Sequence, residues 1–245
     1  MASPMIEYCE QMDRTLLEAA PDRKRGFQTA KRFHESLVSR AEKKTLSWLA
    51  ERTPAWINSD HLTAFGFAGQ ILAGVFYAMS RWHRYALLGV IGALAVNWLG
   101  DSLDGTLARH RHQQRPRYGF YVDHMVDSIG SLALMGGLAI SGYMHPYIAI
   151  GLLLGFLLLS IQSYLATYTL GEFHLSFWHF GPTELRILLS VGNIALFYRP
   201  VVHLVGGVYR LFDVGGLVGL IGMALMLIVF TMKNTWRLYC EERIR

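Results

Sequence analysis

The chain of 245 residues has few of the residues that mark soluble enzymes or secreted domains. Charged residues make up 17% of it, against about 25% in average soluble proteins, whereas 52% are hydrophobic. It has only two cysteines, Cys9 and Cys240, at opposite ends and outside any CxxC pair, so we expect free thiols and no zinc site. No short apolar segment follows a basic start, so we expect no cleavable signal peptide. The composition excludes a disordered chain, a disulfide-stapled domain and an ordinary soluble enzyme.

What the chain has instead is a series of apolar runs. A helix needs about 20 apolar residues to cross roughly 30 Å of hydrocarbon. Six runs approach that length: 62–80, 84–107, 120–143, 146–170, 184–198 and 214–232. We therefore predict an all-α, polytopic membrane bundle of six transmembrane helices, with residues 61–232 as the membrane domain and 233–245 as a cytoplasmic tail.

Residues 1–60 are polar, and part of this segment has helical periodicity. Its apolar residues recur among basic ones: Phe33, Leu37, Val38, Ala41, Leu46, Trp48 and Leu49. We predict a cytoplasmic segment with an interfacial amphipathic helix, anchored in the membrane interface by Trp48 and Trp56. A solvated helix packed on the protein's own cytoplasmic face explains the pattern equally well.

The basic residues are distributed unevenly over the predicted loops. Six spans place both termini on one side, together with 19 of the 23 Lys and Arg residues. The other side has only Arg81, Arg84, Arg199 and Arg210. Because basic residues concentrate in the cytoplasm, we expect both termini and the loops 109–117 and 171–186 there. The net charge of +5 then favours membrane lipids, and not nucleic acid, as partners.

Four aspartates interrupt the apolar runs at the cytoplasmic ends of the second and third predicted spans. Asp101 and Asp104 are three residues apart, and Asp123 and Asp127 are four apart, so each pair lies on one helix face. Because these spans are sequential and antiparallel, the two faces can meet, and four adjacent carboxylates repel one another. One or two divalent cations remove that conflict, and oxygen-only ligands favour Mg²⁺ or Mn²⁺ over zinc. Pairing with Arg109 and its neighbours is the less favoured alternative.

Small residues accompany the acids. Gly105 lets a ligand approach the backbone, Ala108 lies on a similar helix face, and Gly119 begins the next helix near the acids. Arg109 can bind phosphate oxygens through two hydrogen bonds. These residues predict a pyrophosphate site beside the metal site.

This run resembles the signature D-x2-D-G-x2-A-R … G-x3-D-x3-D of the CDP-alcohol phosphotransferases, integral membrane enzymes of phospholipid synthesis. All eight signature residues match, and the spacer of nine residues between the two halves is one longer than expected. The resemblance implies two divalent ions held by Asp101, Asp104, Asp123 and Asp127, with Asp127 also a candidate general base, and a CDP group bound near Gly105, Ala108, Arg109 and Gly119. The reaction it implies transfers a phospho-alcohol or phosphatidyl group from a CDP-linked donor to an acceptor hydroxyl and releases CMP.

A second polar segment, 171–186, joins the fourth and fifth predicted spans. Glu172-Phe-His174 and Gly181-Pro-Thr-Glu184 resemble the E-x-Y-H … G-P-x-E-G segment of the choline and ethanolamine phosphotransferases, with phenylalanine in place of the tyrosine. The resemblance favours Glu172 and His174 as catalytic groups that take the proton from the acceptor hydroxyl. The alternative is an interfacial loop whose histidines and aromatic residues lie among headgroups.

Several alternatives stay open at this level. The second polar segment favours CDP-choline or CDP-ethanolamine as the donor, whereas the compact length resembles enzymes that use CDP-diacylglycerol. A divalent-cation transporter or channel could also use intramembrane aspartates, but no further acid follows Asp127 along the third predicted span. A membrane scaffold would leave the four acids unexplained.

Two further features have two interpretations each. Arg186, at the start of the fifth predicted span, either binds an acceptor phosphate or snorkels to the interface. In the sixth span, Gly215, Gly219 and Gly222 have the spacing of a helix-packing face, which could also serve a homodimer.

Overall fold

The computed structural model describes residues 39–171, 182–204 and 206–242, with side chains from residue 42 onward. Within these residues the chain forms seven helices and one two-stranded hairpin. The helices are α1 (Ser39–Arg52), α2 (Ser59–Met79), α3 (Ala86–His110), α4 (Pro116–Ser141), α5 (Pro146–Leu170), α6 (Pro182–Tyr198) and α7 (Leu211–Glu241), and the strands are β1 (Val201–Leu204) and β2 (Gly207–Arg210). The predicted all-α class is confirmed, and the short antiparallel hairpin before α7 was not predicted.

Five of the described helices are long and apolar enough to cross a membrane: α2, α3, α4, α5 and α7. The helix α6 has 17 residues and therefore measures about 26 Å at 1.5 Å per residue. It ends at Tyr198, and Pro200 follows, which lacks the N–H that a continued helix requires. The multi-pass helical architecture is thus supported, while the count of six spans stays a prediction.

The helix α2 is in close contact with both α3 and α4 through glycines. A Cβ atom on Gly69 would lie 2.7 Å from the backbone nitrogen of Asn97 on α3. Towards the other end of α2, a Cβ on Gly74 would collide with the backbone of α4 at Ala133. Most of the packing that holds α3 and α4 together therefore runs through α2.

The apolar core lies where α2, α3, α4 and α6 meet. Its fully buried side chains include Tyr77, Leu87, Val90, Leu138 and Leu196. One polar pair lies among them, because Asn193 Nδ2 on α6 donates a hydrogen bond of 2.9 Å to the hydroxyl of Tyr77 on α2. This pair fixes α6 against the centre of the bundle.

The helix α1 packs against the bundle. Leu46 and Ala50 are buried with Leu107 of α3, and Trp48 and Trp56 are 52% and 74% exposed. This arrangement supports the alternative of a helix packed on the protein's own surface. The interfacial amphipathic helix stays a prediction, and Phe33, Leu37 and Val38 lie outside the described residues.

The last helix, α7, packs mainly on α5 and exposes most of its apolar surface. A Cβ on Gly219 would lie 3.5 Å from the Leu152 side chain, whereas a Cβ on Gly215 or Gly222 would meet no atom within 4 Å. Only one of these three glycines therefore lies against another helix of the described chain, and the homodimer stays a prediction.

One expectation about the cysteines is wrong. Cys240 is disulfide-bonded, whereas the sequence was interpreted as having free thiols. A disulfide depends on distance in the fold, and the position of Cys240 near the end of the sequence does not reveal that distance.

Candidate active site

All four predicted aspartates line one cleft. Asp101 and Asp104 reach it from α3, and Asp123 and Asp127 reach it from α4. The remaining lining residues are Thr63, Gly66, Phe67 and Gln70 of α2, Asn97 of α3 and Val126 of α4. The acidic faces of α3 and α4 therefore line the same cleft, and α2 forms a further wall of it.

Glycines of α2 and α3 make this arrangement possible. A Cβ on Gly66 would lie 3.0 Å from the backbone nitrogen of Asp101, and a Cβ on Gly100 would collide with the backbone of Gly66. The absence of side chains here lets the α3 backbone approach α2 at the level of the acids. Sequence reasoning did not assign this role to α2, although small residues three or four apart (Gly66, Gly69, Ala73) are a recognised signal of close helix packing.

Asp104 has the lowest residue exposure of the four aspartates, at 8%. Its Oδ2 atom accepts a hydrogen bond of 2.6 Å from the hydroxyl of Thr63, and its Oδ1 atom accepts one from the backbone N–H of Gly105. A buried carboxylate requires such donors, because an unsatisfied charge in a low-dielectric region is costly. Thr63 is thus a second contribution of α2 that the sequence did not predict.

Asp101 forms an ion pair with Arg186 of α6. The guanidinium Nη2 lies 2.7 Å from Asp101 Oδ2, and Nε donates a hydrogen bond of 2.8 Å to Asn97 Oδ1. The Arg186 side chain is only 14% exposed, so it points into the bundle and does not snorkel to the interface.

The donor chemistry of the cleft fits a hard divalent cation, because carboxylate, hydroxyl and amide oxygens line it. In the arrangement seen here, no three Asp, Glu, His or Cys side chains of the described residues converge closely enough to hold a metal ion. Arg186 binds Asp101, and Thr63 binds Asp104. Binding of a cation by several carboxylates therefore requires some of these side chains to turn.

The residues predicted to bind the CDP group lie along the same helices, beyond the aspartates. Gly105 and Gly119 are each four residues from an aspartate of the cleft, Asp101 and Asp123 respectively. An Nη1 atom of Arg109 lies 3.4 Å from the place where a Cβ of Gly105 would be, and its Nη2 atom donates to Thr106. A Cβ on Gly119 would meet nothing within 4 Å. These residues and the partly buried Ala108 are not among the residues that line the cleft itself.

Two arginines of the α3–α4 loop hold the segment that precedes α2. Arg111 donates to the backbone oxygens of Ile57, at 2.6 Å, and Thr53, at 2.9 Å. Arg115 forms an ion pair with Asp60. These contacts fix the loop to the start of α2 and do not involve the four aspartates.

His124, next to Asp123, lies in an aromatic cluster between α4 and α5. Its ring centre is 4.2 Å from that of Phe120 and 4.9 Å from that of Tyr164. Of the predicted catalytic residues, Asp127 lines the cleft, whereas Glu172 and His174 lie outside the described residues.

A family model described as CDP-alcohol phosphatidyltransferase matches residues 56–228, which include every residue of the cleft. The chain belongs to the CDP-alcohol phosphatidyltransferase family. It is therefore a phosphotransferase, and the family and its apolar helices assign it to phospholipid synthesis at a membrane. A search of curated proteins found no match.

Proposed function

We propose that this CDP-alcohol phosphatidyltransferase transfers a phospho-alcohol or phosphatidyl group from a CDP-linked donor to an acceptor hydroxyl, with release of CMP and dependence on Mg²⁺ or Mn²⁺. One observation carries the proposal. The four signature aspartates, from two different helices, line a single cleft, and Gly105, Ala108 and Arg109 follow Asp104 on the same helix.

Asp101, Asp104, Asp123 and Asp127 are the residues that would hold one or two divalent cations. When bound, such cations neutralise the charge of a pyrophosphate and stabilise a phosphate leaving group. The oxygen-only character of the lining supports Mg²⁺ or Mn²⁺.

Four residues near the aspartates in the sequence would bind the nucleotide diphosphate: Gly105, Ala108, Arg109 and Gly119. Gly105 and Ala108 leave space for it on the α3 surface, and the guanidinium of Arg109, which lies over Gly105, can donate two hydrogen bonds to phosphate oxygens. Gly119, near the start of α4, has open space where a Cβ would be, so a ligand can approach the backbone there.

The reaction needs a base for the acceptor hydroxyl. As its proton passes to the base, the hydroxyl oxygen attacks the phosphorus next to the alcohol, and the bond to the CMP oxygen breaks. Asp127 is one candidate base, since it lines the cleft. Glu172 and His174 are the others. They precede α6 in the sequence, and Arg186, near the start of α6, contacts Asp101 of the cleft.

Two classes of donor are candidates. The resemblance of residues 172–184 to the choline and ethanolamine enzymes favours CDP-choline or CDP-ethanolamine with a diacylglycerol acceptor. CDP-diacylglycerol with a small alcohol acceptor is the alternative.

The test is CMP release by the purified protein in lipid nanodiscs, with one CDP compound at a time. We expect release from one donor class, loss of release with EDTA, and loss in Asp123→Asn and Asp127→Asn. Asp213→Asn is the matched control. Asp213 lies at the start of α7, away from the cleft, where it accepts a hydrogen bond from the backbone N–H of His145. CMP release that resists EDTA would contradict the proposal, and Mg²⁺ flux into liposomes without CMP release would favour a transporter.

A further inference from the structure

Arg186 is the basic residue whose side chain enters the aspartate cleft region from α6. It lies one turn after the helix begins at Pro182, and its guanidinium bridges two residues of α3 that are themselves one turn apart, Asn97 and Asp101. Separate N–H groups make the two contacts, Nε to Asn97 and Nη2 to Asp101. The contact with Asp101 can therefore break while the contact with Asn97 remains.

Asn97 is oriented independently of Arg186. It is 4% exposed, and its Nδ2 atom donates a hydrogen bond of 3.0 Å to the backbone oxygen of Gly66 on α2. Because the amide nitrogen is engaged in this way, the amide oxygen faces Arg186. The guanidinium is thus held beside the cleft by a buried polar contact that does not depend on the carboxylates.

We propose that Arg186 is a built-in counter-cation of the cleft, and that a divalent cation binding there displaces it from Asp101. This inference rests on the proposed metal dependence. Four carboxylates around one cleft repel one another unless positive charge is near, and Arg186 supplies such charge when no cation is bound. Its Nη2 atom binds an oxygen of Asp101, one of the proposed ligands of the cation, so the two would compete for that carboxylate.

The competition has a direct consequence for binding. If a group stabilises the cation-free state and loses that contact when the cation binds, the binding free energy of the cation is reduced by the stabilisation that is lost. Removing Arg186 should therefore strengthen cation binding, although it removes an ion pair from the protein. A purely structural arginine would have the opposite effect or none.

The experiment measures Mn²⁺ binding to the purified protein in nanodiscs by electron paramagnetic resonance, without substrate. We expect Arg186→Gln to bind Mn²⁺ about tenfold more tightly than the wild type, within the usual range of coupling between sites. Arg81→Gln is the matched control. It removes the same charge at an exposed position. Arg81 lies beyond the end of α2, and that end is roughly 24 Å along the helix from Thr63. The Mn²⁺ affinity of this variant should equal that of the wild type. Unchanged or weaker binding in Arg186→Gln would overturn the proposal.

Thermal unfolding supplies a second measurement. Without cations, Arg186→Gln should unfold at a lower temperature than the wild type, and Mn²⁺ should raise its unfolding temperature by more than that of the wild type. An equal Mn²⁺ shift in both proteins would mean that Arg186 only supports the fold. If Arg186→Gln does not fold, Arg186→Lys replaces it. Lysine keeps the charge but cannot contact Asn97 and Asp101 together, so its Mn²⁺ binding should still be tighter than in the wild type, and unchanged binding would overturn the proposal.

These measurements separate the two proposals. A wild-type protein that binds no Mn²⁺ would contradict the proposed metal-dependent function. A wild-type protein that binds Mn²⁺ as tightly as Arg186→Gln would contradict only the role of Arg186.

Discussion

At the scale of single residues, the four acids of the cleft can be predicted from the sequence, whereas the residues that bind them cannot. The spacing of Asp101, Asp104, Asp123 and Asp127 predicts two carboxylates on each helix face, because helical geometry is local. Thr63 and Arg186 could not be assigned in this way. They reach the acids across 41 and 85 residues of sequence, and only the packing of α2 and α6 decides those contacts.

The hydrogen bond from Thr63 to Asp104 leads to a prediction about stability. Thr63→Val keeps the shape of the side chain but removes the donor, which leaves a buried carboxylate oxygen less satisfied. We expect a loss of about 1–3 kcal/mol in the free energy of unfolding, together with reduced CMP release. Thr63→Ser keeps the hydroxyl and should behave like the wild type. Equal unfolding curves for the valine variant and the wild type would show that the hydrogen bond contributes nothing.

At the scale of the elements, glycines determine how closely α2 approaches its neighbours. Gly69→Ala would place a Cβ 2.7 Å from a backbone atom of α3, and backbone atoms cannot turn aside as a side chain can. We expect a loss of about 1–3 kcal/mol from the strain. In Gly92→Ala on α3 the new Cβ meets nothing within 4 Å, so the gain in helix propensity should leave the protein as stable or more stable. Thermal unfolding of the two variants checks this, and equal destabilisation by both would refute the packing argument.

The contact of α1 with the bundle leads to a second prediction at this scale. One oxygen of Glu42 accepts hydrogen bonds from Trp98 at 2.8 Å, Thr183 at 3.1 Å and Ser102 at 3.4 Å. Glu42→Ala should therefore loosen α1, and hydrogen exchange of its backbone amides should become faster. Glu51→Ala, on an exposed face of α1, is the control and should leave the exchange unchanged. Unchanged exchange in both variants would mean that Leu46 and Ala50 hold the helix without Glu42.

The apolar runs predicted the central part of each membrane helix well and the helix ends less well. The fourth run, 146–170, coincides with α5, whereas α3 continues to His110 and α7 to Glu241, beyond their apolar parts. Hydropathy reports the stretch that hydrocarbon can cover, while helical hydrogen bonds continue into polar sequence. The hairpin before α7 was missed because its strands have only four residues each, joined at Gly206, which has a φ of +78°.

At the scale of the whole molecule, the orientation in the membrane is a prediction from the distribution of Lys and Arg. It places the α2–α3 turn outside and the α3–α4 loop in the cytoplasm. In a background without Cys9 and Cys240, His83→Cys should react in intact cells with a maleimide that does not cross membranes. His112→Cys should react only after the membrane is opened. Both residues are exposed, so access to the reagent depends on the side of the membrane. The reverse labelling pattern would show that the cleft faces away from the cytoplasm.

The central claim is that the four aspartates act together on one cation-assisted nucleotide site. The most direct measurement is anomalous X-ray diffraction, at the manganese absorption edge, from crystals of the protein grown with Mn²⁺ and CDP. The account predicts at least one anomalous peak roughly 2 Å from carboxylate oxygens of both α3 and α4, with the CDP phosphates beside it. Density for CDP with no manganese peak in the cleft, or a peak bound by only one of the two helices, would contradict it.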